Sequence, residues 1–463
     1  MKNLNKFTIP SFILILIFSS CSLLQKQEYK HSKKISRVFE AGINIGDAVS
    51  LYSQLNDSAK RKLPPPALQS FLSQVRKFCG RIDYMGEVEL NDDGGIFYPK
   101  FSSGLCLISY FVDNEFKLSG FSIKPYKYKI PPFKQNLKDS FTDRVHDITD
   151  HYFYNAELIG LAVGIIDHGK ISYYFKGHQH FSRQKAITEK SIFEIGSISK
   201  VFTGVLLADA IISKELKLSD KIKSVLPALK SSTIRNVSLE SLSLHKSGLP
   251  RLPDDLPMKS DDPYGEYNKK KLLNYFRKSK IKFKPADKNK VNYSNLGVAL
   301  LATGLENFLG KSYEELLQQR IAAPGELVSL TTDLNKCPIE FLAHGHTNDR
   351  SVSHWTYKAF KATGGIYSNL ADMTMFLKNL FTKEGSLRSH LDVMIKSKSS
   401  DKSRLGLFMD KNKAQTFYWH NGGTGGFTSY MSFDIENQYG IVILNNSYDA
   451  PITELGNKVM TGL

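Results

Sequence analysis

FEIGSISKVFTGVLLA, residues Phe193 to Ala208, places Ser197 three positions before Lys200. If Ser197 opens a helix, both side chains lie on one face, with the ammonium about one turn from the hydroxyl. A serine hydroxyl is too weakly acidic to react unaided at neutral pH, so a basic neighbour at this spacing is what a nucleophilic alkoxide requires. A helix N-terminus adds free N–H groups and positive potential at the same point. The spacing alone decides nothing, because a chain rich in both residues repeats it by chance, as Ser279 and Lys282 do. Its weight comes from two further motifs downstream. Tyr293-Ser294-Asn295 lies inside NYSNLGVALLATGLE, and His420-Asn421-Gly422 lies inside HNGGTGGFTSY.

These three motifs, in this order and local context, resemble those of the class C β-lactamase and D-alanyl-D-alanine carboxypeptidase family of penicillin-recognising serine hydrolases. LSLHKSGLP (Leu242 to Pro250) and ATGGIYSNLADMTMFL (Ala362 to Leu377, with Asp372 as a helix cap) extend the resemblance over Leu158 to Leu463. In the family these stretches wall the site. The resemblance implies an acyl-enzyme in which Ser197 attacks the carbonyl carbon and Lys200 assists its deprotonation. Tyr293 is then the general base and later acid, its phenol drawn down by the cationic Lys200. Asn295 is expected to orient Lys200 and a substrate amide. The N–H groups of Ser197 and of Gly423, the latter on an edge strand, are expected to form the oxyanion hole. His420, Asn421, Gly422 and Gly423 complete the substrate-binding set with Asn295. The chemistry calls for no metal and no organic cofactor.

Two positions depart from the family pattern. His420 stands where class C β-lactamases carry Lys, as it often does in peptidases, D-aminopeptidases and esterases of the family. A histidine titrates near ~6.5, so the expectation is a site that attracts a substrate carboxylate better as pH falls. Ala286 replaces the glycine usual after Pro285, which changes that loop. Both departures disfavour efficient β-lactamase activity. The expected function is D-alanyl-D-alanine carboxypeptidase-like hydrolysis of peptidoglycan-type peptides or related small molecules. The alternatives are an esterase or weak β-lactamase, and a catalytically silent cell-wall-binding protein.

Other features carry less. His245, His344 and His346 lack a matching Asp and nucleophile elbow and read as structural. GGTGG, Gly422 to Gly426, lacks the Lys-Ser/Thr of a phosphate loop and reads as close backbone approach along an edge strand. The net charge of +17 comes from 62 Lys and Arg against 45 Asp and Glu, and these are spread along the chain. Without a helix-turn-helix, zinc module or aromatic-basic signature, this excludes a nucleic-acid partner. It suits acidic envelope polymers, lipid head groups or a plain solvated surface.

The 463 residues exceed what one core usually organises, and the composition, 41% hydrophobic and 23% charged, is that of an ordinary globular protein. Lys2 and Lys6 precede an apolar run from Phe12 to Phe18, then Ser19, Ser20 and Cys21. That order reads as an export signal too short to span a bilayer. It resembles a bacterial lipobox, which implies lipidation of Cys21, a membrane anchor and a periplasmic or envelope location. Of the remaining cysteines, Cys79 and Cys106 could pair in an oxidising compartment. No Cys-x-x-Cys or His-x-x-x-His spacing suggests a metal.

The domain expectation is a signal peptide at 1–21, a tether at 22–36, an accessory domain at 37–126, a Pro-rich linker at 127–140 and the hydrolase domain at 141–463. In the accessory domain, Val38, Ala41 and Ile45 are expected on one helical face, and Ala48, Leu51 and Leu55 on the next. A helix from Ala67 to Phe78 and strands around Gly95–Phe101, Leu105–Val112 and Phe116–Ile123 come after them. Helices before an antiparallel sheet, with LPPPALQSFLSQVRKFCG and FKLSGFSIKP, resemble the NTF2-like, cone-shaped α+β domain and suggest a spacer or polymer-binding role. The hydrolase domain is expected to be α+β, of the β-lactamase/transpeptidase-like fold: an antiparallel sheet from the two ends of the domain, flanked by helices, with a helical insertion. Strand signals appear at Leu161–Asp167 and Ile171–Phe175, and return at Phe427–Asp434 and Tyr439–Leu444. Nothing in the sequence fixes the oligomeric state.

Overall fold

Leu161, Val163 and Ile165 alternate along one strand with Ala162, Gly164 and Ile166, and the apolar members of the two sets belong to different buried clusters. A period of two with both faces apolar marks a strand between two covering layers. In the computed structural model this strand, Gly160–Asp167, turns through His168 and Gly169 into Lys170–Gly177. Both turn residues have positive φ, +48° and +79°, the left-handed pair that a tight two-residue hairpin needs. The structure describes residues 30–461 apart from 86–87, 92–93, 98, 102–103, 126–139, 157, 181–184, 259–261, 279–290, 348–349, 398–401, 413–414 and 449. The signal segment with Cys21, the linker before Ser140 and Ala286 lie outside the described residues.

The chain forms two compact units, Met1–Tyr128 with Asn348–Arg350, and Lys129–Thr347 with Ser351–Leu463. In the larger unit the sheet runs Ser403–Arg404, Leu407–Lys411, Thr416–Gly423, Thr428–Asp434, Tyr439–Asn445, Gly160–Asp167 and Lys170–Gly177, antiparallel throughout. The two ends of the domain therefore meet inside one sheet. Three of these strands, at 403–404, 407–411 and 416–423, are missed by a reading in which strands return only at Phe427. Polar and aromatic residues such as Thr416, Tyr418 and His420 occupy them in place of an aliphatic run.

Helices Phe141–Asn155 and Ile452–Thr461 cover one face, packing Val145, Ile148, Leu455 and Val459 against Ile441 and Ile443. The other face, with Val442 and Leu444, is covered by a larger cluster that includes helix Leu370–Phe381 and the buried helix Ser199–Ile212. Ser199–Ile212 is buried on nearly every side, which its all-round apolar composition permits. Leu370–Phe381 is capped by Asn369, whose side chain accepts from the Asp372 N–H at 2.8 Å. Asp372, expected as the cap, instead accepts from the Ser329 hydroxyl at 2.8 Å.

In the smaller unit a helix spans residues 30–45, so the last part of the expected tether is folded. Its buried stripe is Ile35, Phe39 and Ile43, four residues apart, and Ile45 is exposed; the expected face through Val38, Ala41 and Ile45 is displaced around the helix. Ala48, Leu51 and Leu55 are buried as one group. Pro64 precedes helix Pro65–Cys79, where a proline at the first position loses no hydrogen bond. Beyond it lies an antiparallel sheet in which Gly104–Val112 pairs with Gly94–Phe97, Lys100–Phe101 and Leu118–Pro125. The Cys106 side chain lies outside the described residues.

Candidate active site

The turn that carries Ser197 is held from both directions along the backbone. Ile195 N–H donates to the Ile366 carbonyl at 3.1 Å, and the Ile195 carbonyl accepts from the Ser429 hydroxyl at 2.8 Å. A single 3₁₀ turn, Gly196–Ile198, then leads into helix Ser199–Ile212. Gly196 has φ +50°, and a Cβ there would stand 2.6 Å from the Gly423 nitrogen, so only glycine lets the serine turn and the strand end approach this closely. Gly422 is constrained likewise, since a Cβ would collide with the Ile195 carbonyl and the Ser429 hydroxyl.

Ser197 is partly exposed, whereas Lys200, one helical turn on, is 1% exposed. The Lys200 amine donates to Ser197 Oγ at 2.8 Å and to the Thr363 carbonyl at 2.6 Å. Burial, reinforced by the field of Arg251, lowers its pKa well below that of an ordinary lysine. A neutral amine at hydrogen-bond distance can accept the Ser197 proton. Lys200 is oriented by the Thr363 carbonyl, a backbone group to which no sequence motif points, and not by Asn295.

Tyr293 is placed by its neighbours in the LSLHKSGLP wall. Ser294 caps helix Asn295–Leu309, accepting from Gly297 N–H at 2.9 Å while its hydroxyl donates to the Pro250 carbonyl at 2.6 Å. His245 Nδ1 accepts from Ser294 N–H at 3.1 Å, and the imidazole lies 4.4 Å from the Tyr293 ring, centre to centre. The Tyr293 hydroxyl is within hydrogen-bonding reach of Ser197. Burial pushes its pKa up to about 12, although the Ser197 contact and the Arg251 cation pull the other way. This corrects the expectation of a phenol drawn down by Lys200: desolvation outweighs any cation, and the buried Lys200 is itself biased toward neutrality.

His420 is 1% exposed, with its ring centre 6.2 Å from that of Tyr293. Its Nδ1–H donates to the Asn421 carbonyl at 2.6 Å, which leaves Nε2 as an acceptor with no partner among the described residues. Burial, then the Lys200 field, lowers its pKa to about 3. The expectation that His420 gains a carboxylate-attracting charge as pH falls from neutrality is therefore overturned. Asn421 points to the opposite face of the strand, as alternation requires, and its amide donates to the Thr453 hydroxyl at 2.8 Å. Its side chain does not line the site. Strand Thr416–Gly423 pairs with Leu407–Lys411 only as far as Trp419, so residues 420–423 have one side without a strand partner among the described residues, the edge position expected for Gly423.

Asn295 is buried, within hydrogen-bonding reach of Tyr264, and its Oδ1 has no partner among the described residues. Tyr264 stacks on Tyr357 at 4.8 Å in an aromatic wall that the motifs did not announce. Arg251 belongs to none of the motifs, and its guanidinium carbon lies 5.0 Å from the centre of the Tyr293 ring. Its one sequence signal is position, directly after LSLHKSGLP. Among the described residues no group of His, Cys, Asp and Glu is arranged to hold a metal ion.

A serine between a depressed amine and a protonated phenol, beside the backbone of Gly423, is suited to acyl transfer. Comparison with known proteins agrees with this geometry. The family model described as Beta-lactamase matches residues 142–457. A β-lactamase of Escherichia coli (strain K12) is 26% identical over 351 residues, covering 67% of this chain and 90% of that protein. The D-alanyl-D-alanine-carboxypeptidase/endopeptidase AmpH of the same organism is 24% identical over 347 residues, covering 68% and 86%. Among solved structures, a β-lactamase/D-alanine carboxypeptidase from Pseudomonas syringae superposes with a TM-score of 0.61 at 20% identity, covering 70% of this chain and 99% of that one.

Proposed function

The chain belongs to the Beta-lactamase family and is a serine hydrolase, and we propose that within this family it forms an acyl-enzyme on Ser197 and acts on D-amino-acid peptides of peptidoglycan type. The observation that carries this reading is the 2.8 Å contact between the Ser197 hydroxyl and the buried Lys200 amine. Neutral Lys200 takes the serine proton as Oγ bonds to the acyl carbon. Tyr293, still protonated, donates to the leaving nitrogen and recovers its proton from the Lys200 ammonium through the shared cluster. The Ser197 and Gly423 N–H groups stabilise the oxyanion, a contribution worth about 3 kcal/mol per donor in such sites. Water then attacks the ester by the reverse proton path. Asn295 Oδ1 and His420 Nε2, acceptors without donors among the described residues, suit a ligand that brings its own N–H groups.

A neutral His420 favours a second reading, an esterase, because neutral substrates need no charge at that position. Turnover of a D-Ala-D-Ala peptide, a penicillin and a small ester separates the two. The peptidase reading expects release of D-alanine with kcat/KM above that of the amide-capped peptide, and ester turnover without D-alanine release would replace it by the esterase. The same proposal places the protein at the bacterial envelope, supported by the basic-apolar-Cys21 order of the first residues. Cys21→Ser should move it from the membrane to the soluble fraction, and an unchanged distribution would refute a lipid anchor. For the N-terminal unit the proposal is an NTF2-like spacer or polymer-binding module.

A further inference from the structure

A cation beside the leaving group favours a peptide that ends in a free carboxylate, and among the described residues around Ser197 one basic side chain is exposed to take that part. Lys200 is buried, and its amine is committed to Ser197 and the Thr363 carbonyl. His420 is buried and its only N–H is spent on the Asn421 carbonyl. His245 is buried behind Tyr293, with Nδ1 accepting from the Ser294 backbone. Arg251 differs from all three, because it is exposed. No ion pair joins it to an acid among the described residues. Its guanidinium stands over the Tyr293 ring at 5.0 Å, close enough that its field acts on Lys200, His245, Tyr264 and Tyr293.

We propose that Arg251 is the residue that recognises the substrate's anion, taking a carboxylate carried by the leaving group. This rests on the acyl-enzyme reading above. Tyr293 is the donor to the leaving atom, and its ring has Lys200 and Arg251 each 5.0 Å from its centre, but of the two only Arg251 is exposed and so open to a substrate group beside that donor. In an amino-acid leaving group the carboxylate is one carbon away from the departing nitrogen, which brings it toward that cation. A guanidinium over an aromatic face keeps the N–H donors at its edge free, and its fork matches a carboxylate with two parallel hydrogen bonds. The charge is also permanent, unlike that of a histidine. The substrate class this implies is an acyl donor whose leaving group bears an anion, a C-terminal D-amino acid among them.

The test uses two aryl esters that share an acyl group and differ only in a meta carboxylate or carboxamide on the leaving phenol. These are assayed on the full-length protein, wild type, Arg251→Gln and Arg251→Lys. Wild type is expected to prefer the carboxylate ester. Arg251→Gln should lower the carboxylate-to-carboxamide ratio of kcat/KM by about 10-fold or more, chiefly through KM, as loss of a charge-assisted contact does. Arg251→Lys should restore part of the ratio. A ratio unmoved in Arg251→Gln overturns the proposal, and so does an equal loss on both esters, which would mean that Arg251 acts only through Tyr293. Acylation of Ser197 by the carboxamide ester, followed by mass, keeps the two ideas apart. If it occurs while the ratio stays fixed, Arg251 alone is wrong; if neither ester acylates Ser197, the hydrolase reading fails first.

Discussion

Lys200→Met should cost the protein its activity and yet make it more stable. The Lys200 amine is buried and lowered well below an ordinary lysine, so in the unfolded chain it binds a proton that the folded state disfavours. The resulting penalty is absent above pH 10.5, where both states are neutral, and grows as pH falls toward the folded pKa, by about 1.4 kcal/mol per pH unit. At pH 7 it is capped at about 5 kcal/mol, the cost of deprotonating an ordinary lysine at that pH. Methionine removes this penalty and fills similar space, but it forfeits the hydrogen bonds to Ser197 and the Thr363 carbonyl, about 1 kcal/mol each. The balance leaves a gain of up to about 3 kcal/mol at pH 7, a rise of several degrees in Tm. The assay is thermal melting of wild type and variant by circular dichroism from pH 7 to pH 10, with acylation rates alongside. The variant should melt higher at pH 7, the gap should close at about pH 9 and reverse toward pH 10 as the lost hydrogen bonds come to outweigh the vanishing penalty, and acylation should fall by about 10²- to 10⁴-fold. A variant that melts below wild type at pH 7, or a gap indifferent to pH, would refute the buried neutral amine.

Tyr293→Phe should lower acylation by about 10²- to 10⁴-fold, and the Tyr293→Phe/Lys200→Met pair should fall far short of the product of the single effects, because the two residues move one proton; a multiplicative loss in rapid-mixing kinetics would separate them. His420 is held neutral, with its pKa lowered to about 3, so the carboxylate-to-neutral ratio of kcat/KM should be flat from pH 5 to pH 8 in wild type, and a rise toward pH 5 with a midpoint near ~6.5 would show that His420 charges after all. Gly422→Ala should destabilise the fold by about 1–3 kcal/mol in urea unfolding, because its Cβ meets the Ile195 carbonyl and Ser429; unaltered stability would mean that the strand end does not press on the serine turn.

The sequence carried the parts of this site that depend on short spacing. Ser197 and Lys200 come together because three residues make one helical turn, and the apolar runs Leu161–Asp167 and Ile171–Phe175 on either side of His168-Gly169 mark a hairpin that the structure contains. What escaped depends on the third dimension. The Thr363 carbonyl that holds Lys200 is a backbone group without a side-chain signature. The sequence suggests the charge of Tyr293 through its neighbour Lys200 and that of His420 through the free imidazole, whereas burial decides both, pushing the phenol up and the imidazole down. Asn421 shares a motif with His420, yet adjacent residues on a strand face opposite ways, and its side chain turns from the site to Thr453. Arg251 has only its position directly after LSLHKSGLP to mark it in the sequence, and its exposed place over the Tyr293 ring is a property of the fold.

Intact-mass spectrometry of wild type and Ser197→Ala after exposure to a neutral activated ester tests the central claim most directly. Wild type should gain the mass of one acyl group, lost again as water turns the enzyme over, and peptide mapping should place it on the segment that contains Ser197. Ser197→Ala should remain folded and gain nothing. Equal acylation of wild type and variant, or an acyl group mapped to another residue, would contradict the account.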